Sequence, residues 1–278
     1  MLLESLDKQI RSSVRTALDE DLGPGDLTAH LIPEDALARA EVVCRETAVL
    51  CGCAWFDTVF RELDERIQID WLVSEGAAIS AGQCLCRLRG PARPLLSGER
   101  TALNFLQTLS ATASLARRYA DAVSGSPVTI LDTRKTLPGL RLAQKHAVRT
   151  GGCHNHRLGL YDGILIKENH IAAAGSIRQA VDSARRLGTD LPVEVEVESP
   201  EELEQALAAG AEIVLLDNFS LDGIRDAVKR TDGRAKLEVS GGVSLDTVAD
   251  LAATGVDFIS VGALTKDVQA IDLSLRLT

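Results

Sequence analysis

Histidine is scarce in this chain, with five in 278 residues, and three of the five fall in one stretch, GGCHNHRLGLYDGILIKENH, at 151–170. Other features are missing altogether. No run of about 18 apolar residues occurs, which speaks against a helical membrane span. The opening residues, MLLESLDKQIRSSVR, are charged and helix-patterned, without the apolar core of a secretory signal. A cytoplasmic location is therefore expected. There is no basic excess either: the net charge is −10, which disfavours nucleic acid and anionic membranes as partners. The common C-x2-C zinc spacing is absent. The cysteines are Cys44, Cys51, Cys53, Cys84, Cys86 and Cys153, and their two C-x-C pairs sit in apolar, strand-like text, VLCGCAWF and QCLCRL. Residues i and i+2 of a strand share a face, so buried thiols are expected there rather than a metal site or disulfides.

What is present fits a globular protein with one large or two modest domains, 45% apolar and 25% charged. Two textures meet near residue 110. The first part opens with an amphipathic helix pattern over about 5–19 and the loop EDLGPGDLTAHLIP. Strand-like runs follow, ARAEVVCRE, TAVLCGCAW, RIQIDWLV and QCLCRLRG, then a long helix starting near Leu96. The second part repeats another unit. The runs VTILDT, GILIKEN, VEVEVES, EIVLLDN, KLEVSGG and DFISVGA alternate with helix patterns, among them LRLAQKHAVRT and SIRQAVDSARRLG. Alternation of this kind predicts parallel β/α units wound with right-handed crossovers. Six units are short of eight, so an incomplete barrel is expected.

Barrel enzymes carry their chemistry at the C-terminal ends of the strands. Here those ends read Asp132-Thr133-Arg134-Lys135, Lys167-Glu168-Asn169, Glu196 and Glu198, Asp217-Asn218, Ser240-Gly241-Gly242 and Val261-Gly262-Ala263. Six charged or glycine-rich ends in register indicate one site. The last two fit phosphate binding through backbone N–H groups. Residues 132–170 hold seven Lys or Arg against three acids, a basic island suited to an anionic substrate. Within it Arg141, Lys145 and Arg149 recur at i, i+4, i+8 and read as a solvated helix face. The histidine stretch itself suits a metal or an anion. Arg157 directly after His156 favours the anion, with His154 structural and His170 bonding near the strand end. From the residues alone, a phosphate-binding barrel isomerase or aldolase and a non-catalytic anion binder remain alternatives.

The strings DTRKTLPGLR, GGCHNHRLGLYDGILIKENH, VEVEVES, LLDN, EVSGG, SVGALT, EDLGPGDLTA and GERTALNFLQ together resemble the quinolinate phosphoribosyltransferases over nearly the whole chain. The resemblance implies an N-terminal α/β sandwich (1–110) and an open α/β barrel (111–264), with the tail 265–278 packing back on the first domain. It implies a homodimer that joins quinolinate to 5-phosphoribosyl-1-pyrophosphate with loss of CO2. Molybdenum-transport-linked paralogues share much of the pattern. Arg134, His156, Arg157 and Lys167 would line the quinolinate pocket, and Lys135 would lie near the reacting centre. Arg100 would reach in from the other subunit. Glu196 and Asp217 would face the ribose, where positive charge develops. Thr133, the Ser240-Gly241-Gly242 loop and the Val261-Gly262-Ala263 loop complete the expected substrate contacts. Mg2+ is expected to arrive with the pyrophosphate rather than in a fixed protein site. A Schiff base at Lys167 is not expected, because the substrates offer no carbonyl to attack. Cys153 departs from the family's run of glycines.

Overall fold

The structure is a computed structural model, and it describes residues 2–278, with side chains from Leu6 onward. In chain order the elements are α1 (Leu2–Leu22), a 3-10 turn (Thr28–Leu31), β1 (Leu37–Cys44), β2 (Ala48–Val49), α2 (Cys53–Leu63), β3 (Gln68–Trp71), β4 (Ala78–Ile79), β5 (Cys84–Pro91) and α3 (Ala92–Ala122). Then come β6 (Thr129–Leu131), α4 (Arg141–Thr150), β7 (Ile164–Ile166), α5 (Glu168–Ala174), α6 (Ile177–Arg185), β8 (Val193–Val197), α7 (Pro200–Ala209) and β9 (Ile213–Asp217). The chain ends with α8 (Leu221–Thr231), β10 (Lys236–Ser240), α9 (Val248–Ala252), β11 (Phe258–Ser260), α10 (Ala263–Lys266) and β12 (Leu273–Leu277). Two compact units form. One holds the residues through Arg117, Thr136–Gly152 and Asp267–Thr278; the other holds Arg118–Lys135 and Cys153–Lys266.

The first unit contains an antiparallel sheet of order β12-β1-β5-β3 and a small β2-β4 pair. Alternation along β1 turns Ala40, Val42 and Cys44 inward. The register with β5 slips between Val42 and Val43, and this bulge lets the neighbours Leu85 and Cys86 both be buried. Three sequence readings change here. The run TAVLCGCAW is strand only at Ala48–Val49; Cys53 opens α2, which buries Trp55, Phe56, Val59 and Phe60. The long helix starts at Ala92, before Leu96, because Pro94 falls in its first turn, where a missing N–H costs nothing. Helix α4, read as a barrel helix, belongs to this unit: Ala143 and Ala147 join its core. The face read as solvated is so only at its end: Arg149 is exposed and Arg141 half-buried, but Lys145 is 1% exposed.

The second unit is a six-stranded parallel sheet of order β6-β11-β10-β9-β8-β7. That order is one round of a barrel with the opening between β6 and β7. The missing α4 leaves that gap without a crossover helix of the usual kind. A single parallel bridge, Leu131 with His154, fills part of it. The His154 N–H donates to Ile130 O at 2.9 Å, and the His154 C=O accepts from the Asp132 N–H at 3.0 Å. The family boundary expected at residue 110 therefore differs from the compact units, because α3 runs unbroken past it and 136–152 folds with the earlier residues.

Candidate active site

The strand alternation of the second unit decides what faces inward. In VEVEV, Val193, Val195 and Val197 are buried on the outer side, while Glu194 and Glu196 share the other face. Across the ladder Glu196 stands beside Leu215, and Glu238 beside the same Leu215. These rows floor a cleft of about 330 Å3 at the strands' C-terminal ends, rimmed by Thr133, Arg134, Lys135, Arg157, Lys167 and Ser240. A larger cavity of about 460 Å3 lies in the first unit between α1 and α3, but no lysine or arginine lines it. The smaller cleft, by contrast, gathers Arg134, Lys135, Arg157, Lys167 and two glutamates at the strand ends.

Its cations are held in different ways. Lys167 Nζ is paired with Glu196 Oε2. Arg157 Nη1 donates to Gly163 O at 3.3 Å. Burial, and then the positive charge of Arg134, pull the Arg157 guanidinium below its usual pKa. Arg134 Nε is buried without a hydrogen-bond acceptor. Two guanidiniums side by side with unused donor capacity are a receptor for a planar anion. Lys135 is exposed on the rim. Its backbone is fixed by the Thr133 Oγ1 and Thr265 Oγ1 hydrogen bonds, at 3.1 and 2.8 Å. Gly262 leaves room for its stem, because a Cβ there would sit 3.3 Å from Lys135 Cδ.

His156 lines the cleft, but both ring nitrogens are committed. Nδ1 accepts from the Arg157 N–H at 2.8 Å, so Nε2 carries the proton and donates to Glu194 Oε2 at 3.1 Å. Glu238 Oε2 lies 3.6 Å from the same Nε2. Ser260 Oγ donates to Glu238 Oε1. Burial first, then the charge of Glu194, push the Glu238 carboxyl up to about 7. His156, Glu194 and Glu238 are close enough to hold an ion, yet as they stand they are tied by hydrogen bonds. Asp132, wholly buried, links the two cationic segments: it accepts from Asn155 Nδ2 at 2.7 Å and from the His156 N–H at 2.9 Å.

The remaining expected residues divide. Asp217 ends β9 half-buried and accepts from Asn218 Nδ2 at 2.9 Å, outside the lining of the cleft. Gly241 has φ +95°, and a Cβ there would lie 2.3 Å from Asn218 Oδ1, so the turn after Ser240 requires glycine. Gly242 follows with φ +61°. The Val261 N–H donates to Leu131 O at 2.8 Å. It is therefore spent on the ladder, and of that loop Gly262 and Ala263 are left to meet an anion. Arg100 is outside the group, exposed on α3 of the first unit. The histidine cluster disperses: His154 serves through its backbone, and His170 Nδ1 accepts from the Lys167 N–H at 3.0 Å to cap α5. Sequence reasoning placed Asp132 at a strand end of the site without giving it a role, and missed Asn155, Glu194, Glu238 and Ser260. The period-two row through Glu196 and Ser240 reaches Glu194 and Glu238 two residues earlier.

Family models for the N-terminal and C-terminal domains of quinolinate phosphoribosyl transferase match residues 26–110 and 112–276. The chain is 43% identical over 260 residues to a probable nicotinate-nucleotide pyrophosphorylase (carboxylating) of Bacillus subtilis, covering 93% of this chain and 90% of that protein. It is 44% identical over 277 residues to the nicotinate-nucleotide pyrophosphorylase (carboxylating) of Mycobacterium leprae, covering 96% of each. The structure of the nicotinate-nucleotide pyrophosphorylase from Francisella tularensis superposes with a TM-score of 0.95 at 47% identity, covering 98% of this chain and 97% of that one. The chain belongs to the quinolinate phosphoribosyl transferase family.

Proposed function

We propose that the protein transfers phosphoribose from 5-phosphoribosyl-1-pyrophosphate to quinolinate and decarboxylates the adduct, giving nicotinate mononucleotide, pyrophosphate and CO2 for de novo NAD synthesis. One observation carries this reading: Arg134, Arg157 and Lys167 converge on one cleft with Glu196 among them, and the buried Arg134 Nε has no acceptor. Quinolinate is a planar dicarboxylate, and guanidinium forks match it. Its carboxylates engage Arg134 and Arg157 and draw Lys167 away from Glu196. Glu196 is then free to face the ribose. His156, held by Glu194 and Glu238, offers its ring as a wall rather than a donor.

The donor lies toward Lys135, Ser240-Gly241-Gly242 and Gly262-Ala263. The pyridine nitrogen bonds to the anomeric carbon as the bond to pyrophosphate breaks, and the electron pair leaves with pyrophosphate. Glu196 and Asp217 stabilise the positive charge that builds on the ribose, and Lys135 meets the departing phosphates. The ribosylated nitrogen is then cationic. Its positive charge stabilises the electron pair that the C2–carboxylate bond leaves on C2 as CO2 departs, and that pair then takes up a proton. The steps need positioning and charge, with no covalent enzyme intermediate. Glu196 and Asp217, on the adjacent strands β8 and β9, are hard oxygen donors of the kind Mg2+ uses beside phosphate oxygens. Mg2+ would neutralise the pyrophosphate there. In a homodimer, the exposed Arg100 of a second copy completes the cleft. Among the described residues no helix is long and apolar enough to cross a membrane, in keeping with a cytoplasmic enzyme.

The test is to incubate the protein with quinolinate, 5-phosphoribosyl-1-pyrophosphate and Mg2+ and to follow nicotinate mononucleotide and CO2 together. Equal yields, with nicotinate a poor substitute, are expected. Donor binding without either product would assign the acceptor to another anion, as in the molybdenum-linked paralogues.

A further inference from the structure

The C-x-C pair at Cys51 and Cys53 has no part in this reaction, and its surroundings differ from those of a buried strand. Gly52, at φ +108°, reverses the chain between the two cysteines. Both cysteines lie against one carboxylate, Glu75, whose negative charge acts on each thiol. That carboxylate is fixed by the N–H groups of Gly52 and Cys53, at 2.9 and 3.0 Å. His146, on α4, brings Nε2 to 3.1 Å from Glu75 Oε1. The donor atoms of Cys51, Glu75 and His146 all lie within 4.8 Å of one another; Cys53, whose N–H donates to the same carboxylate, opens α2 beside them. These residues come from three segments of the first unit, far apart in sequence.

We infer that Cys51, Cys53, Glu75 and His146 form a binding site for zinc. The donor set decides the metal. Two sulfurs and an imidazole are poor ligands for Mg2+ or Ca2+, which take oxygen, and suit tetrahedral Zn2+. With metal–ligand bonds of about 2.0–2.3 Å, tetrahedral donors stand roughly 3.3–3.8 Å apart, so these three donors close by about an ångström and the neighbouring Cys53 thiol turns in as the fourth. Binding forms bonds to two thiolates and releases their two protons to solvent. The side chains of His146 and Glu75 are each 32% exposed, which gives the ion an entrance. The Trp55 ring lies 5.6 Å from that of His146, so it orients the imidazole and reports on it. The inference does not depend on the proposed reaction.

The experiment uses the full-length protein, stripped with EDTA and titrated with ZnCl2 against a chromogenic zinc indicator, with Trp fluorescence followed in parallel. One equivalent per chain, tight binding, a fluorescence change and a raised Tm are expected. His146→Gln and Cys53→Ser, both at partly exposed positions, should each weaken binding by roughly 100-fold or more. They should leave quinolinate-dependent turnover of the zinc-free protein unchanged. Cys84→Ser, on β5 away from the cluster, should bind as wild type. Cys51→Ser is the fourth variant, but a failure of that buried position to fold would not disturb the other two. Zinc binding no tighter than tens of micromolar, or binding that survives the His146→Gln/Cys53→Ser double variant, overturns the site.

Discussion

Glu238 is a carboxyl enclosed with another carboxyl, Glu194, while His156 and Ser260 pull in the opposite direction. Its pKa rises from 4.5 to about 7 on folding, burial being the largest cause. Between those values the folded protein keeps a proton that the unfolded chain has lost. Folding stability therefore falls as pH rises through that window and stays lowered above it. Glu238→Gln preserves shape and the Ser260 contact but has no proton to lose. The wild-type Tm is expected to drop more steeply than the variant's between pH 4.5 and 7, read by calorimetry. Parallel curves would mean that Glu238 is ionised throughout. Cys153 is buried at the start of the segment bearing His156 and Arg157. Cys153→Gly is expected to lose about 1 kcal/mol of stability by leaving a void. A fall of more than tenfold in kcat/KM would show instead that the thiol shapes the loop.

Among the elements, the turn after β10 carries the sharpest test. Gly241→Ala forces a Cβ toward Asn218 Oδ1, 2.3 Å away, in a backbone conformation that alanine resists. The cost is about 1–3 kcal/mol, and the loop must shift. The KM for 5-phosphoribosyl-1-pyrophosphate should rise by about tenfold or more, with the quinolinate KM little changed; an unaltered donor KM would remove this loop from the phosphate site. The six parallel strands were legible because each is a short apolar run that stops at charged or glycine-rich residues. Helix α4 was legible as a helix, but periodicity does not say which core its face joins. Helix α5 was hidden, since Glu168–Ala174 is too short to show a period and GILIKEN reads on as strand. Glu194 and Glu238 escaped notice for a different reason. Alternating valine and glutamate is the pattern of a strand with one face in water, whereas here the charged face lies inside the barrel.

For the whole molecule, a shared site makes a strong demand. If Arg100 serves the neighbouring subunit, Arg100→Ala and Lys135→Ala proteins are each inactive. Unfolding and refolding them together in equal amounts should restore roughly a quarter of wild-type activity. Half of the dimers would then be mixed, and each mixed dimer has one intact cleft of two. Continued inactivity of the mixture would place Arg100 and Lys135 in the same chain's site, whereas an active Arg100→Ala protein would give Arg100 no part in turnover.

Strand β12, Leu273–Leu277, pairs with β1, Leu37–Cys44, along the outer side of the first sheet. On the ribosome, β1 emerges more than two hundred residues before its partner. Until the barrel residues have all been made, the row of backbone groups on that side of β1 has no strand to meet, an opening for any other extended chain. Translation speed through the barrel, and whatever chaperone shelters the nascent first sheet, therefore govern the yield of this protein as much as the strength of the finished fold.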